Sequence, residues 1–326
     1  MHAAYYEQNG PAQQVLQLGE VATPRPGPGE VRVKLATSGV NPSDVKARSG
    51  ATRKIGYPRV IPHSDGAGEI DMVGEGVSAA RIGERVWLWN AQWLRAFGTC
   101  AECVALASEQ AVLLPASTSF EAGACLGIPA MTAYHAVAVS GAGPGDTVLI
   151  AGGAGGVGHY AVQFAKAAGA TVIATISSPE KADLAHAAGA DHAINYKNEN
   201  VGERVMAITE KKGVDAIIEL DFAANAKLIP GVLRPRGQVV IYGTGPLTPE
   251  VPQMFLLRNA ITLKYIYVYE LDNRERAAAI SAISHSLGAS KLINTIGMTL
   301  PLADVVTAHE AVEAGKVLGN VVLDVG

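Results

Sequence analysis

The segment Thr147-Val-Leu-Ile-Ala-Gly-Gly-Ala-Gly-Gly-Val-Gly158 decides how the rest of the chain is read. Thr147 to Ala151 is a short continuous apolar run of the kind found in a strand buried on both faces, and a helix is predicted over about 156–168. Between them Gly153-Ala154-Gly155-Gly156-Val157-Gly158 fits G-x-G-x-x-G. The spacing alone is weak, but between a strand and a helix each glycine acquires a job: a tight turn, room for backbone to approach a pyrophosphate, and close packing of helix on strand at Gly158. The free N–H groups and the positive end of the helix dipole then face the anion. This is a dinucleotide site.

Downstream, strands and helices alternate. Thr171 to Thr175 is a strand, a helix starts at Pro179, Ala193-Ile194 marks a strand, and a helix lies near 202–211. Val214 to Glu219 and Gln238 to Tyr242 are further buried strands, and Ile261 to Tyr269 (ITLKYIYVY) reads as a sixth. That alternation is the signature of a parallel sheet with crossovers, an α/β fold. Helices near 274–287 and 303–315 and a last strand, Asn320 to Val325, follow. Upstream the chain is β-rich, with strands at Glu30 to Val40, Gly66 to Val73 and Arg85 to Trp89, which suggests a small barrel-like domain. Pro42-Ser43-Asp44 opens a short helix through Lys46 and Arg48 that Gly50 stops.

The chain has 326 residues, 26 basic and 30 acidic, a net charge of −4, 17% charged residues and 36 glycines. Its length suits two domains. No basic stripe is present to bind nucleic acid or an anionic membrane. Ala122 to Gly145 carries no Asp, Glu, Lys or Arg. Its glycines and two prolines, with few leucines, make it buried backbone rather than a membrane span. The N-terminus has no secretory signal pattern, and three cysteines are too few for a disulfide scaffold, so a reducing, cytoplasmic setting is expected.

The second strand's end selects the nucleotide. An NAD site carries Asp or Glu about 20 residues after the glycines, whereas this chain has Thr175-Ile176-Ser177-Ser178 and no acid until Glu180. With Ser178 as cap and Pro179 opening the helix, Lys181 falls in the first turn, where a cation opposes the helix dipole unless an anion binds nearby. The pattern favours NADPH over NADH.

A zinc-dependent dehydrogenase needs Cys or His ligands and an open fourth position. In Pro62-His63-Ser64-Asp65-Gly66-Ala67-Gly68 a serine stands where such enzymes place a ligand histidine, with His63 one residue early, and Asn41 stands in for cysteine. Cys100-Ala101-Glu102-Cys103, a lone CxxC expected on a strand, reads as two small side chains rather than a metal or redox pair. No metal is expected. An acceptor reduced without a Lewis acid must already be electron-poor, as quinones and conjugated enones are. One hydrogen-bond donor would stabilise the enolate-like transition state of an enone. Asn41 is the candidate donor, with Asp44 and Lys46 beside it on the short helix.

These residues resemble the zinc-free quinone oxidoreductases of the medium-chain dehydrogenase/reductase superfamily, the zeta-crystallin type. The likeness runs through GVNPSDVKARSG (39–50), SDGAGEI and MVGEGV (64–77), IGERV (82–86), GIPAMTAY (127–134), LIAGGAGGVG (149–158), INY (194–196) and AHEAVEAGKVLGNVVL (308–323). It implies a GroES-like β-barrel catalytic domain, 1–121 completed by 270–326, and an inserted Rossmann domain, 122–269. It further implies 2′-phosphate contacts from Lys181 and Tyr196 with Ser177 in the same loop, nicotinamide-side contacts from Asn41 and Thr132, and pyrophosphate contacts at Gly156 and Val157. Gly243 and Asn320 lie in segments that line the cofactor in relatives. The strand near Ile261 to Tyr269 is expected to pair across a two-fold axis in a homodimer, and a long apolar edge strand independently favours such pairing. The chain departs from the family at Lys46, often tyrosine, and at Gly98-Thr-Cys-Ala-Glu-Cys103 for G-x-Y-A-E-Y. Trp87, Trp89 and Trp93 either wall an aromatic acceptor or pack in the core. Two alternatives to quinone reduction stand: a 2-enal or enone reductase, and a non-catalytic NADPH-binding protein.

Overall fold

Two short strands, β1 (His2–Tyr5) and β2 (Gln17–Glu20), pair antiparallel and precede the eleven-residue β3 (Glu30–Val40). The computed structural model describes residues 1–243, 245 and 248–326. Helix α1 (Pro42–Ser49) starts where Asn41, in extended backbone, gives way to Pro42 at the first helical position, and it stops at Gly50, whose φ of 85° is left-handed. That start and stop follow from proline's fixed φ and glycine's tolerance of positive φ. Then come β4 (Asp65–Val73), β5 (Arg85–Leu88), β6 (Cys103–Ala107) and β7 (Ala111–Leu113). Val31, Val33 and Leu35 of β3 alternate inward and pack with Ile70, Val86, Leu88, Val104 and Leu106 into one buried cluster.

The middle of the chain, Ala130–Ala279, is one of two compact units. It contains α2 (Met131–Ser140), β8 (Thr147–Ile150), α3 (Gly156–Ala167), β9 (Thr171–Ile176), α4 (Pro179–Ala187), β10 (His192–Asn195), α5 (Val201–Ile208), β11 (Val214–Glu219), β12 (Leu233–Ile241), α6 (Gln253–Arg258) and β13 (Thr262–Tyr265). The sheet order is β10-β9-β8-β11-β12-β13, every neighbouring pair parallel. This is the Rossmann order, and the crevice where it reverses direction lies beside β8, the strand that feeds the glycine turn. Val148, Ile150, Val172 and Ile173 are fully buried, as strands covered on both faces require.

One sequence expectation changes here. The sixth strand is shorter than Ile261 to Tyr269. Its ladder ends at Tyr265, because the partner β12 ends at Ile241, and the chain turns through a 3₁₀ segment at Val268–Glu270. The uncharged stretch 122–145 holds a π-helical turn, Leu126–Ala130, and α2. Among the described residues no helix is long and apolar enough to cross a membrane.

The last segment, α7 (Asn273–Gly288), β14 (Ile296–Pro301), α8 (Val305–Ala314) and β15 (Asn320–Asp324), carries the chain back to the first unit, Met1–Pro129 with Ile280–Gly326. The first unit's main sheet runs β14-β15-β3-β4-β5-β7, with β6 also on β3. Strand β14 escaped the sequence reading: it is half-exposed along its length and, among the described residues, pairs only with β15, in parallel.

Candidate active site

In the second unit the glycines of the turn divide into two kinds. Gly153 and Gly158 are buried, and a Cβ on Gly158 would lie 2.1 Å from the Gly152 carbonyl oxygen, while one on Gly153 would lie 2.6 Å from Cβ of Ala174. These two close the helix onto the sheet. Gly155 is exposed and caps α3 without any side-chain acceptor, and Gly156 and Val157 are half-buried in the first turn. This is an uncapped helix start with room for an anion, so the residues fit a dinucleotide pyrophosphate. Thr175 braces the turn: its hydroxyl accepts from the Gly152 N–H and its carbonyl from the Gly153 N–H, both at 3.0 Å.

At the end of β9, Ser177 is half-buried and no carboxylate occupies the position. The Ser178 hydroxyl caps α4 by accepting from the Lys181 N–H at 3.4 Å, Pro179 opens the helix, and Lys181 is half-buried in its first turn. Tyr196, just beyond β10, is 54% exposed. Thr132 is buried in the first turn of α2. A Cβ on Gly243 would sit 2.2 Å from the Leu220 carbonyl oxygen, so the loops after β11 and β12 must approach closely. Glu219 at the end of β11 organises them. Its carboxylate accepts from the Asp221 N–H at 2.6 Å and the Asn225 amide at 2.9 Å, and Asp221 accepts from the Gly245 N–H at 2.8 Å. Burial pushes the Glu219 carboxyl up. An acid closing an apolar strand is the sequence signal that would have found it.

In the first unit Asn41, Asp44 and Asp65 form a buried polar cluster at the β3–α1 junction. The Asn41 side-chain amide donates to Asp65 Oδ2 at 2.8 Å, and its backbone N–H donates to Asp44 Oδ2 at 2.9 Å. The Ile128 N–H donates to the other Asp65 oxygen at 2.8 Å. Lys46 is half-buried on the same helix. Asn320 begins β15, and its amide donates to the Thr295 carbonyl at 3.1 Å. Asp65 was not singled out from sequence, although it fixes the Asn41 amide, whose side chain also hydrogen-bonds Asp44.

Burial raises the Asp44 carboxyl to about 7, against lowering hydrogen bonds from the Asn41 and Ser64 backbone and the charge of Arg53. Burial, aided by the Asp44 charge, holds Asp65 well above the carboxylate range. A carboxyl that holds its proton more tightly when folded gives stability that is complete below its unfolded value of 3.8 and is lost as pH rises toward about 7. Urea unfolding at pH 5 and pH 8 should therefore show the wild type losing more stability across that interval than Asp44→Asn. An equal or smaller loss would remove Asp44 from this role.

Ser64 and Asn41, at the two positions where zinc dehydrogenases carry ligands, are both buried. Among the described residues no three His, Cys, Asp or Glu side chains converge on a possible metal site. The CxxC is only half on a strand: β6 starts at Cys103, and Cys100 lies in the preceding turn, fully buried, with burial raising its thiol. Of the tryptophans, Trp87 and Trp89 are core residues, while Trp93 is half-buried with the Arg53 guanidinium 5.4 Å above its ring.

Comparison with known proteins agrees with this architecture. The alcohol dehydrogenase GroES-like domain family matches residues 27–168, and the zinc-binding dehydrogenase family matches 156–285. A quinone oxidoreductase of Pseudomonas aeruginosa is 35% identical over 72% of each chain. A 2-haloacrylate reductase of a Burkholderia species is 30% identical over 99% of this chain and 98% of its own. Among solved structures, Escherichia coli quinone oxidoreductase complexed with NADPH superposes with a TM-score of 0.88 at 26% identity, covering all of both chains.

Proposed function

This chain belongs to the quinone oxidoreductase family of the medium-chain dehydrogenase/reductase superfamily, and from that premise we propose that it is an NADPH-dependent reductase of quinones or related electron-poor carbonyl compounds. The observation that carries the reading is the uncapped glycine-turn helix; the other unit supplies a buried, carboxylate-held amide at Asn41. When bound, NADPH supplies the hydride.

The chain's own residues do the rest. Gly155, Gly156 and Val157 offer backbone to the pyrophosphate, seated by Gly153 and Gly158. Ser177, Lys181 and Tyr196 receive the 2′-phosphate, and Thr132, Gly243 and Asn320 border the nicotinamide end. Asn41 donates an amide hydrogen to the acceptor's carbonyl oxygen, where negative charge develops as hydride arrives. Asp65 keeps that amide from rotating away, and Asp44 and Lys46 complete the polar surroundings. The reduced oxygen takes its proton from water.

A 2-enal or enone reductase is the second reading, favoured by the 2-haloacrylate reductase likeness over nearly the whole chain. Mixing the protein with NADPH and, separately, a benzoquinone and a short alkenone ranks the two. NADPH bound without turnover of either acceptor would instead favour the non-catalytic reading.

Lys181→Ala should raise KM for NADPH about 10- to 100-fold, the loss of one hydrogen bond to a charged group, and leave KM for NADH nearly unchanged. Equal effects on both cofactors would refute the 2′-phosphate assignment. Domain boundaries near 121 and 270, a cytoplasmic location suited to three free thiols, and a homodimer complete the proposal. Strand β13 is a sheet edge with Tyr265 65% exposed, and Tyr267 beyond it is 52% exposed. Such an edge is covered by pairing with a second copy. A monomer mass in sedimentation equilibrium would overturn the dimer.

A further inference from the structure

Behind the Asn41 cluster runs a chain of buried polar side chains that the reaction does not use directly. Ser38 Oγ lies 2.8 Å from both His63 Nδ1 and Thr99 Oγ1, and His63 Nε2 lies 2.9 Å from His309 Nε2. Thr99 Oγ1 hydrogen-bonds the Asp65 carbonyl. All four side chains are completely buried.

The direction of every bond is forced from one end. A carbonyl only accepts, so the Thr99 hydroxyl hydrogen is committed to Asp65. Ser38 must then donate to Thr99, and with its only hydrogen spent it accepts from His63 Nδ1–H. Burial holds His63 neutral, with its pKa lowered to about 3, so its Nε2 is a bare lone pair that accepts from His309 Nε2–H. His309, likewise kept neutral chiefly by burial and also by the nearby Arg48 charge, is left with a bare Nδ1. Among the described residues that atom has no hydrogen-bond partner.

The chain spans the unit's sequence from Ser38 to His309 and ends on the backbone of the residue that holds the Asn41 amide. His63 adopts φ 78°, a left-handed conformation that a bulky side chain seldom takes, and its two ring hydrogen bonds offset that strain.

We infer that Ser38, Thr99, His63 and His309 are positioning residues: a one-way hydrogen-bond chain, His309 to His63 to Ser38 to Thr99 to the Asp65 carbonyl, that fixes Asp65 and through it the Asn41 donor. Its catalytic consequence rests on the role proposed for Asn41; the chain itself does not.

Nitrogen-15 NMR of the wild-type imidazoles at pH 7 tests the direction. His63 is expected as the Nδ1–H tautomer and His309 as the Nε2–H tautomer. The reverse pair, or a protonated ring, overturns the chain. Thr99→Val removes the terminal hydroxyl at nearly constant volume and should lower kcat about tenfold, the loss of one buried hydrogen bond, with KM for NADPH unchanged. Thr99→Ser should restore kcat. A Thr99→Val enzyme with wild-type kcat overturns the positioning role.

The Asn41 side-chain amide resonances read the same coupling without turnover. They should shift in Thr99→Val and return in Thr99→Ser, and unshifted signals overturn the role. If the wild type reduces no acceptor while the tautomers and amide shifts are as expected, the function proposed above fails and the chain stands. If Thr99→Val does not fold, Thr99→Ser against the wild type and the tautomer measurement still decide.

Discussion

Asn41→Ala is expected to lower kcat about 100-fold or more, with KM for NADPH changed less than about twofold, because it removes a donor aimed at charge that exists only in the transition state. The amide cannot easily be replaced, since it is buried and one of its hydrogens is committed to Asp65 Oδ2 at 2.8 Å. Asn41 is also the N-cap of α1, and losing a cap costs about 1 kcal/mol of stability. Asn41→Ser separates the roles. Serine caps a helix well but lacks the second amide hydrogen, so its stability should approach wild type while kcat stays as low as in the alanine variant. Recovery of kcat in Asn41→Ser would show that the helix start, not the amide, matters. Steady-state kinetics with a benzoquinone, beside thermal unfolding of the three proteins, gives both readings.

The second large effect is expected at Gly158. A Cβ there would sit 2.1 Å from the Gly152 carbonyl oxygen and 2.8 Å from its carbon, both backbone atoms that cannot rotate aside. Gly158→Ala should therefore push α3 off β8 and destabilise the protein by about 3 kcal/mol or more, the upper range for overpacking. NADPH binding should be lost with it. Gly155→Ala makes the contrast: its Cβ would come only to 3.3 Å from the Gly152 oxygen, a contact that small shifts relieve. That variant should fold with near-wild-type stability yet bind NADPH about 10- to 100-fold more weakly, through a displaced hydrogen bond to charged phosphate. Calorimetry and fluorescence titration of both variants check the pair. Equal stability loss would mean that the two glycines do not divide into packing and ligand-facing kinds.

That contrast bears on what a sequence discloses. The turn, its strand and its helix were legible because their chemistry is local: apolar run, glycine spacing and helix start all fall within twenty residues. Pro42 and Gly50 likewise announced both ends of α1. Strand β14 was illegible because it is short, has no fully buried residue and owes its strand state to β15. Tyr265 marks the same limit from the other side, since ITLKYIYVY reads as one long strand, and only the end of β12 at Ile241 cuts it short.

The candidate site divides in the same way. Asn41, Asp44 and Lys46 share one helix start and could be named together. His63 was noticed only as a misplaced zinc ligand, and His309 was quoted within a motif without a role, because the two meet across 246 positions of sequence. Asp65 was quoted within a motif without a role. Its role depends on the Ile128 N–H, the Thr99 hydroxyl and the Asn41 amide, which converge only after three separate segments have folded.

Strand β3 has one edge taken by β4, while the other is shared between β6, along Glu30–Lys34, and β15, along Thr37–Val40. The half that leads into Asn41 is thus completed by Val321–Asp324, far along the chain from it. On the ribosome this sets an order of events. Residues 130–279 emerge whole and can fold as translation continues, whereas the first unit waits with an open strand edge until Val321–Asp324 has been made. A chain stopped before Val321 would leave the Rossmann unit intact beside a first unit whose β3 edge stays open.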